Sequence, residues 1–460
     1  MAVTADRGPA PPDAGEAGES RSPARPPWPG FYYGYWILGG AFVSQLITIA
    51  MMTSVVGPFV NPMTESLGWT TSQFFTATTV SRFVMSGVGF FIGASVDRHG
   101  GRRFMLAGGL ILGLSLFLAG SVTELWQWIV LRGVMFTMGA ALVGNLVVNV
   151  TMAKWWVTKR GRMIGFSSMG VSLAGMTFPG VATVLIAQFG WEDAWRVLAL
   201  ITVITILPTA TIMRRQPEDH GWHPDGLDEA QMRAGGGAAA QADYDNSFTR
   251  REALHTKALY LIVLAFGLGG VGIQVMLVQS IPFLEDNGFS TGFGAVMATT
   301  MSFPALISKP FWGWTMERIE PKTAAAIGFG QAGVAMIVIV FAANADAVPL
   351  LVLGYALMGW GFGGQIPLQE TIWGSYFGRR YLGSVRSVAM PISLVIGASS
   401  PLIVATYRDM VGNYNGVFVG VGVCWIVAAL VVMLVRKPPR PDRPPPPPPP
   451  EPAEPAAPAG

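Results

Sequence analysis

The sequence predicts an all-α membrane protein: twelve transmembrane helices in two pseudo-symmetric six-helix bundles. Three observations carry that reading. Of 460 residues, 51% are hydrophobic and only 12% charged, about half the charge usual in soluble domains. Apolar runs recur from end to end, each of the roughly 20 residues needed to cross ~30 Å of hydrocarbon. Motifs in the first half also return in the second at a near-constant offset. GASVDR at 93–98 comes back as GWTMER at 313–318, AKWWVTKR at 153–160 as GSYFGRR at 374–380, and Asn145 and Asn149 as Gln365 and Gln369, each displaced by about 220 residues. A parallel repeat gives two halves of the same orientation in this way.

In chain order, residues 1–30 are polar and Pro-rich and lack the charged-then-apolar build of a cleavable signal. They read as a disordered tail, so the first apolar run stays in the membrane. The first bundle, 31–215, holds spans at 35–57, 72–96, 104–123, 126–153, 162–188 and 196–213. Runs longer than 20 residues are accommodated by tilt. Residues 216–256, rich in Gly, Ala and Asp, read as a flexible linker, with SFTRREALHTK as a short capped helix at its end. The second bundle, 257–437, holds spans at 258–282, 291–316, 323–343, 348–375, 385–407 and 414–435. Residues 438–460, with the run PPPPPPP, read as solvated polyproline II, a disordered end or a docking ligand.

Charge fixes the orientation. With the N-terminus inside, 25 of the 30 Lys and Arg face the cytoplasm, three lie within spans (Arg82, Arg132, Lys309) and two lie outside (Arg196, Arg408). That is the positive-inside pattern, and it places both termini in the cytoplasm of a plasma (bacterial inner) membrane. Enzyme classes fall away. The four histidines are scattered in loops, the single cysteine, Cys424, lies in the last span, and no P-loop or nucleophile–base pair is present. No cofactor, metal or nucleic acid is expected, and the basic loops follow the topological rule. A monomer in the bilayer is expected.

The loop Gly93 to Arg103, GASVDRHGGRR, joins spans two and three on the inner side. Gly93 permits close helix contact, Asp97 suits a helix N-terminus or a cation, Gly100 eases a tight turn, and Arg98, Arg102 and Arg103 hold the loop inside. The loop resembles the signature of the major facilitator superfamily, and Gly313, Glu317 and Arg318 resemble its degenerate second copy. YYGYWIL, WWVTKRGRMIGFSSMGVSLAG, GWEDAWR, PEDHGWHPDG and YFGRRYLGSVRS extend a narrower resemblance over residues 31–436. They are similar to the monocarboxylate porter and oxalate/formate antiporter group. The resemblance implies a central cavity lined by spans 1, 4, 7 and 10, alternating access, and small organic anions carried with a proton or exchanged.

The candidate site follows from charge at depth. Arg82 lies 15 residues from Asp97, ~22 Å along the helix, on a face shared with Ser86, Gly89 and Gly93; the Phe-rich side is left for lipid. A charge at the bilayer centre costs roughly 2.5–3.5 kcal/mol on insertion scales, and no acid occupies the middle of any span. Lys309 repeats the arrangement in span eight, just before Pro310. In the related group that position holds an arginine that binds the substrate carboxylate; lysine keeps the charge without the bidentate fork. Where eukaryotic porters carry an acidic proton site four residues earlier, this chain has Ala305. Arg132, near the outer end of span four, reads as a structural cation able to snorkel to water.

Gln45, Asn145, Asn149, Gln274, Gln365 and Gln369 form a symmetric amide set suited to a polar ligand or to interhelical hydrogen bonds. Phe303 and Trp312 are expected to hold the ligand's apolar body. Glu370, ~9 Å from the inner end of span ten, is the proton-coupling candidate or the partner of a loop arginine. The reading is a secondary transporter of a small organic anion, a monocarboxylate such as lactate or pyruvate or a related carboxylate, by proton symport or anion exchange. Alternatives are an exporter of drugs or aromatic compounds and a non-transporting sensor or scaffold.

Overall fold

The computed structural model describes residues 31–398 and 400–439. The expected tail 1–30 lies outside them, as does the expected tail 438–460 beyond residue 439. Among the described residues every element is a helix or a turn, and eight helices are long and apolar enough to cross a bilayer. In chain order α1 is Gly34–Leu67, α2 Thr71–His99, α3 Gly101–Ala119 and α4 Leu125–Trp155. Helices α5 and α6 are the parts of Arg160–Ile212 before and after Gly190. Then come α7 at Lys257–Asp286, α8 at Thr291–Met316, α9 at Pro321–Asn344 and α10 at Val348–Phe377. Helix α11 comprises Leu382–Ala398 and Ser400–Val411, and α12 is Asn415–Met433.

Local chemistry sets the ends. Thr70 and Gln73 form a reciprocal capping box that starts α2. Gly100, at φ 76°, turns the chain from α2 directly into α3. A loop was expected over 189–195, yet Gly190 alone, also at φ 76°, makes that turn. Helix α1 outruns its expected end because a π turn at Ala50–Ser54 reorients it without stopping it. Helix α4 has a π turn at Ile129–Met135 and a break at Gly144, whose ψ of −160° is extended.

In the first half α1 packs on α5, and α3 on α4 and α6; in the second α10 packs on α8 and α9, and α12 on α7 and α9. The halves meet where α2 lies on α11 and α5 on α8. Both contacts are glycine to backbone. A Cβ on Gly93 would stand 2.2 Å from the Gly383 carbonyl oxygen, and one on Gly161 2.2 Å from that of Gly313. Phe83 and Phe91 on the far side of α2 are exposed, the surface a bilayer would cover.

Carboxylates seal both contacts at the end that carries the basic loops. Asp97, at the end of α2, accepts from the backbone N–H of Gly383 (3.0 Å) and Ser384 (2.7 Å) and from the Ser384 hydroxyl (2.9 Å), all in the first turn of α11. Lys154 stands 3.5 Å from the same carboxylate. Glu317, its counterpart after α8, accepts from the Arg162 backbone N–H (3.0 Å) and Nε (2.6 Å) in the first turn of α5. Burial raises the Glu317 carboxyl above its ordinary range, and the Arg162 contacts oppose that rise. Arg98, Arg102 and Arg103 are exposed, and Arg318 stacks 4.2 Å over Trp314.

The linker is not the flexible coil expected of its composition. Asp225, at φ 61°, accepts from the N–H groups of Val157, Thr158 and Lys159. Asp243 pairs with Arg160 at 3.0 Å and Arg379 at 3.8 Å, Glu218 pairs with Arg379 at 2.7 Å, and Phe248 N–H donates to the Phe377 carbonyl. Its acids find free N–H groups at the start of α5 and two buried arginines, so composition alone understated its order. Thr249 and Glu252 cap the short helix Arg250–Leu254 before α7.

Loss of one such cap costs about 1 kcal/mol, roughly a fivefold shift in a two-state balance. Asp97→Ala, in a Cys424→Ser background with Ala153→Cys as reporter, is therefore expected to raise maleimide labelling of the buried position several-fold while helix content by circular dichroism stays constant.

Candidate functional site

A cavity of about 410 Å³ lies between the halves, lined by Thr78, Ser81 and Arg82 of α2, Arg132 and Thr137 of α4, and Gln274 of α7, with Met52, Met85, Phe136 and Ile273 as apolar walls. Arg82 lies ~22 Å from the sealed end along α2. The charged residues of this lining are both arginines; it contains no acid.

The two arginines differ. Arg132 is 6% exposed and donates from Nη2 to the Met51 carbonyl at 2.7 Å and the Met52 carbonyl at 2.9 Å. These carbonyls belong to the π turn of α1, and the guanidinium also lies 3.9 Å over the Phe136 ring. Arg132 therefore does not snorkel to water. It latches the π turn of α4 to that of α1, because displaced carbonyls offer acceptors at membrane depth; its Nη1 has no partner. Half-buried Arg82 makes no hydrogen bond or ion pair among the described residues and faces the cavity.

The remaining candidates do not converge on this cavity. Lys309 is 2% exposed and has no hydrogen bond or ion pair among the described residues. It sits where α8 crosses α5, its carbonyl 2.6 Å from where a Cβ on Gly165 would stand, and it is not in the cavity lining. Of the amides, Gln274 lines the cavity. Gln45 donates to Asn149 and to the Ser167 hydroxyl, both at 3.3 Å. Gln365 lies over Gly269 of α7, and Asn145 and Gln369 are half-buried. Phe303 is 56% exposed on the outer surface, and Trp312 is buried with its indole N–H on the Trp360 carbonyl. Neither forms a ligand wall, because α8 turns those faces to the outside and to α10.

Glu370 is buried in an ion pair with Arg386 of α11, so it is not free. Asn149 approaches the same carboxylate from the first half, although its Nδ2 makes no hydrogen bond. Ser167, Gln45 and Asn149 are thus hydrogen-bonded in the first half and Glu370 and Arg386 paired in the second, two polar groups facing each other near the sealed end. Sequence reading missed Arg386 as a membrane residue; its signal was a cation one turn inside α11. It also missed the hydroxyls of Thr78, Ser81 and Thr137. No group of His, Cys, Asp and Glu that could hold a metal occurs among the described residues.

The profile of the Major Facilitator Superfamily matches residues 42–401, and again 276–459. The chain belongs to that superfamily. It is a multi-pass membrane transport protein and not an enzyme. Superfamily relatives include an oxalate:formate antiporter of Oxalobacter formigenes, 25% identical over 75% of this chain and 79% of that one. The sialic acid transporter NanX of Escherichia coli is 23% identical over 80% and 85%, and the fungal MFS-type transporter pytF of Aspergillus terreus 27% over 46% and 71%. Among solved structures, the proton:xylose symporter XylE superposes with a TM-score of 0.68 at 12% identity, covering 88% of this chain and 96% of that one. The human organic anion transporter MFSD10 gives 0.64 at 14%, covering 89% and 100%. At those identities the likeness shows the fold.

The contrast between the arginines gives a paired outcome. Arg132→Gln is expected to destabilise by about 1–3 kcal/mol by stranding buried carbonyls, lowering Tm in detergent, whereas Arg82→Gln should leave Tm unchanged. In the same assay Glu370→Gln should cost about 3–5 kcal/mol by leaving Arg386 unpaired, and Glu370→Gln with Arg386→Met should recover most of it.

Proposed function

We propose that the chain is a secondary active transporter of a small organic anion, a monocarboxylate such as lactate or pyruvate or a related carboxylate, working by alternating access in a plasma membrane with both termini cytoplasmic. One observation carries the proposal: the cavity's charged lining is cationic, and Arg82 there has no hydrogen-bond or ion-pair partner among the described residues. The electrostatic cost of a cation at that depth is offset when an anion enters. The hydroxyl of Thr78 and the Gln274 amide suit carboxylate oxygens, Ser81 being engaged with the Ala77 carbonyl at 2.9 Å, and Met85 and Phe136 suit a short apolar body.

Lys309 extends the path. It lies eight residues, ~12 Å, before Glu317, and so nearer the sealed end than Arg82. In this reading the anion meets Arg82 first and exchanges it for Lys309 as the sealed end opens. Symport would need an acid free to protonate, and the prior pairing of Glu370 with Arg386 favours anion exchange. The oxalate:formate relative supports the same direction. Export of apolar or aromatic compounds is the second reading, favoured by the Met52, Phe136 and Ile273 walls.

Counterflow in proteoliposomes loaded with oxalate, formate, lactate or pyruvate tests the proposal. Arg82→Gln is expected to raise the half-saturation concentration at least tenfold, the equivalent of about 1.4 kcal/mol, and Lys309→Gln to abolish exchange with normal expression. Counterflow by none of these anions, with competition by apolar aromatics instead, would move the assignment to the exporter reading.

A further inference from the structure

At the sealed end, where α1 begins, lies a second cleft of about 360 Å³ that the transport reading does not use. Phe31, Tyr32, Tyr33, Trp222 and Leu227 form its walls, and Asp228 and Glu229 its acidic rim. Phe31 is 46% exposed and Trp222 half-buried. The Tyr33 and Trp222 rings lie 5.3 Å apart, held by Arg214 at 4.3 Å over Tyr33. Arg214 thus fixes the aromatic wall from one side and leaves its groove open. Rigid aromatic walls beside acids are the chemistry that recognises an arginine followed by polyproline, a ligand that loses little entropy on docking.

The chain carries that ligand itself. Arg443 is followed by seven prolines, 444–450, beyond the last described residue. We propose that this Pro-rich segment docks in the aromatic cleft of its own molecule, with Arg443 against the Asp228 and Glu229 rim.

Geometry supports docking within one chain. Lys437 and Pro438, just before the segment, line a neighbouring cleft together with Val157 and Asp243. Asp225, which accepts from the Val157 N–H at 3.1 Å, immediately precedes Gly226 of the aromatic cleft. The two clefts therefore adjoin across about one residue. Eleven residues of polyproline II at ~3.1 Å each extend roughly 34 Å, ample for that step. The other tail is the rival occupant: SPARPPWPG leads straight into Phe31, but it has no long proline run.

Full-length protein carrying Cys424→Ser, Leu227→Cys and Pro447→Cys, oxidised at low concentration in detergent, tests the proposal. An intramolecular disulfide is expected in most molecules, its rate falling at least fivefold with Arg443→Glu or with Trp222→Ala. The proposal is overturned by a disulfide that forms only between molecules, or by one indifferent to both substitutions. It is equally overturned if Ala24→Cys crosslinks to Leu227→Cys faster than Pro447→Cys does, which would assign the cleft to the first tail.

Discussion

The structure depends on backbone meeting backbone between the two halves. Gly93 against Gly383 and Gly161 against Gly313 leave no room for a Cβ, and this closeness brings a carboxylate of one half onto the first turn of a helix in the other. Asp97 does so for α11 and Glu317 for α5. The carboxylates complement both the free N–H groups and the positive end of the helix dipole. Each contact contributes about 1 kcal/mol to keeping the halves together at that end. With that end sealed, the cavity lies toward the other.

Within the sealed frame, cations are handled in two ways. Arg132 shows how a membrane protein satisfies a buried guanidinium without an acid: the π turn of α1 places displaced carbonyls where the Nη2 of Arg132, itself in the π turn of α4, can reach them. Arg82 is given no such carbonyls and faces open space. The distinction is between a charge that holds helices together and one that lines the cavity without a hydrogen bond or ion pair among the described residues. Composition is blind to it, since both are single arginines in apolar runs.

That blindness marks how far the sequence could be read. The superfamily fold was legible because charge sorting and a 220-residue repeat are one-dimensional signals. The inward face of Arg82 was legible because helical periodicity assigns faces. Partners were not, because they depend on where a second helix sits at the same depth. Arg386 was counted with the loops although it lies one turn inside α11, and Lys309 sits at the α5 crossing and not in the cavity lining. The linker misled for a related reason: its order comes from Asp225 and Asp243 meeting groups far away in sequence, which low local hydrophobicity does not reveal.

Charge is placed unevenly relative to the dividing surface. The deep ion pair Glu370–Arg386 lies wholly in the second half, between α10 and α11, so the halves can separate without breaking it. What reaches across at that depth is a neutral amide, Asn149, and its chain to Gln45 and Ser167 lies wholly in the first half. The cross-half ion pair Arg162–Glu317 sits at the rim, where the Arg162 side chain is 39% exposed and water can take over its hydrogen bonds. Separating two buried charges costs about 3–5 kcal/mol, a barrier every cycle would meet if the deep pair bridged the halves. With the deep ion pair kept inside one half, the carboxylates that span the divide lie at the sealed end, Asp97 on the Gly383 and Ser384 N–H groups and Glu317 on Arg162.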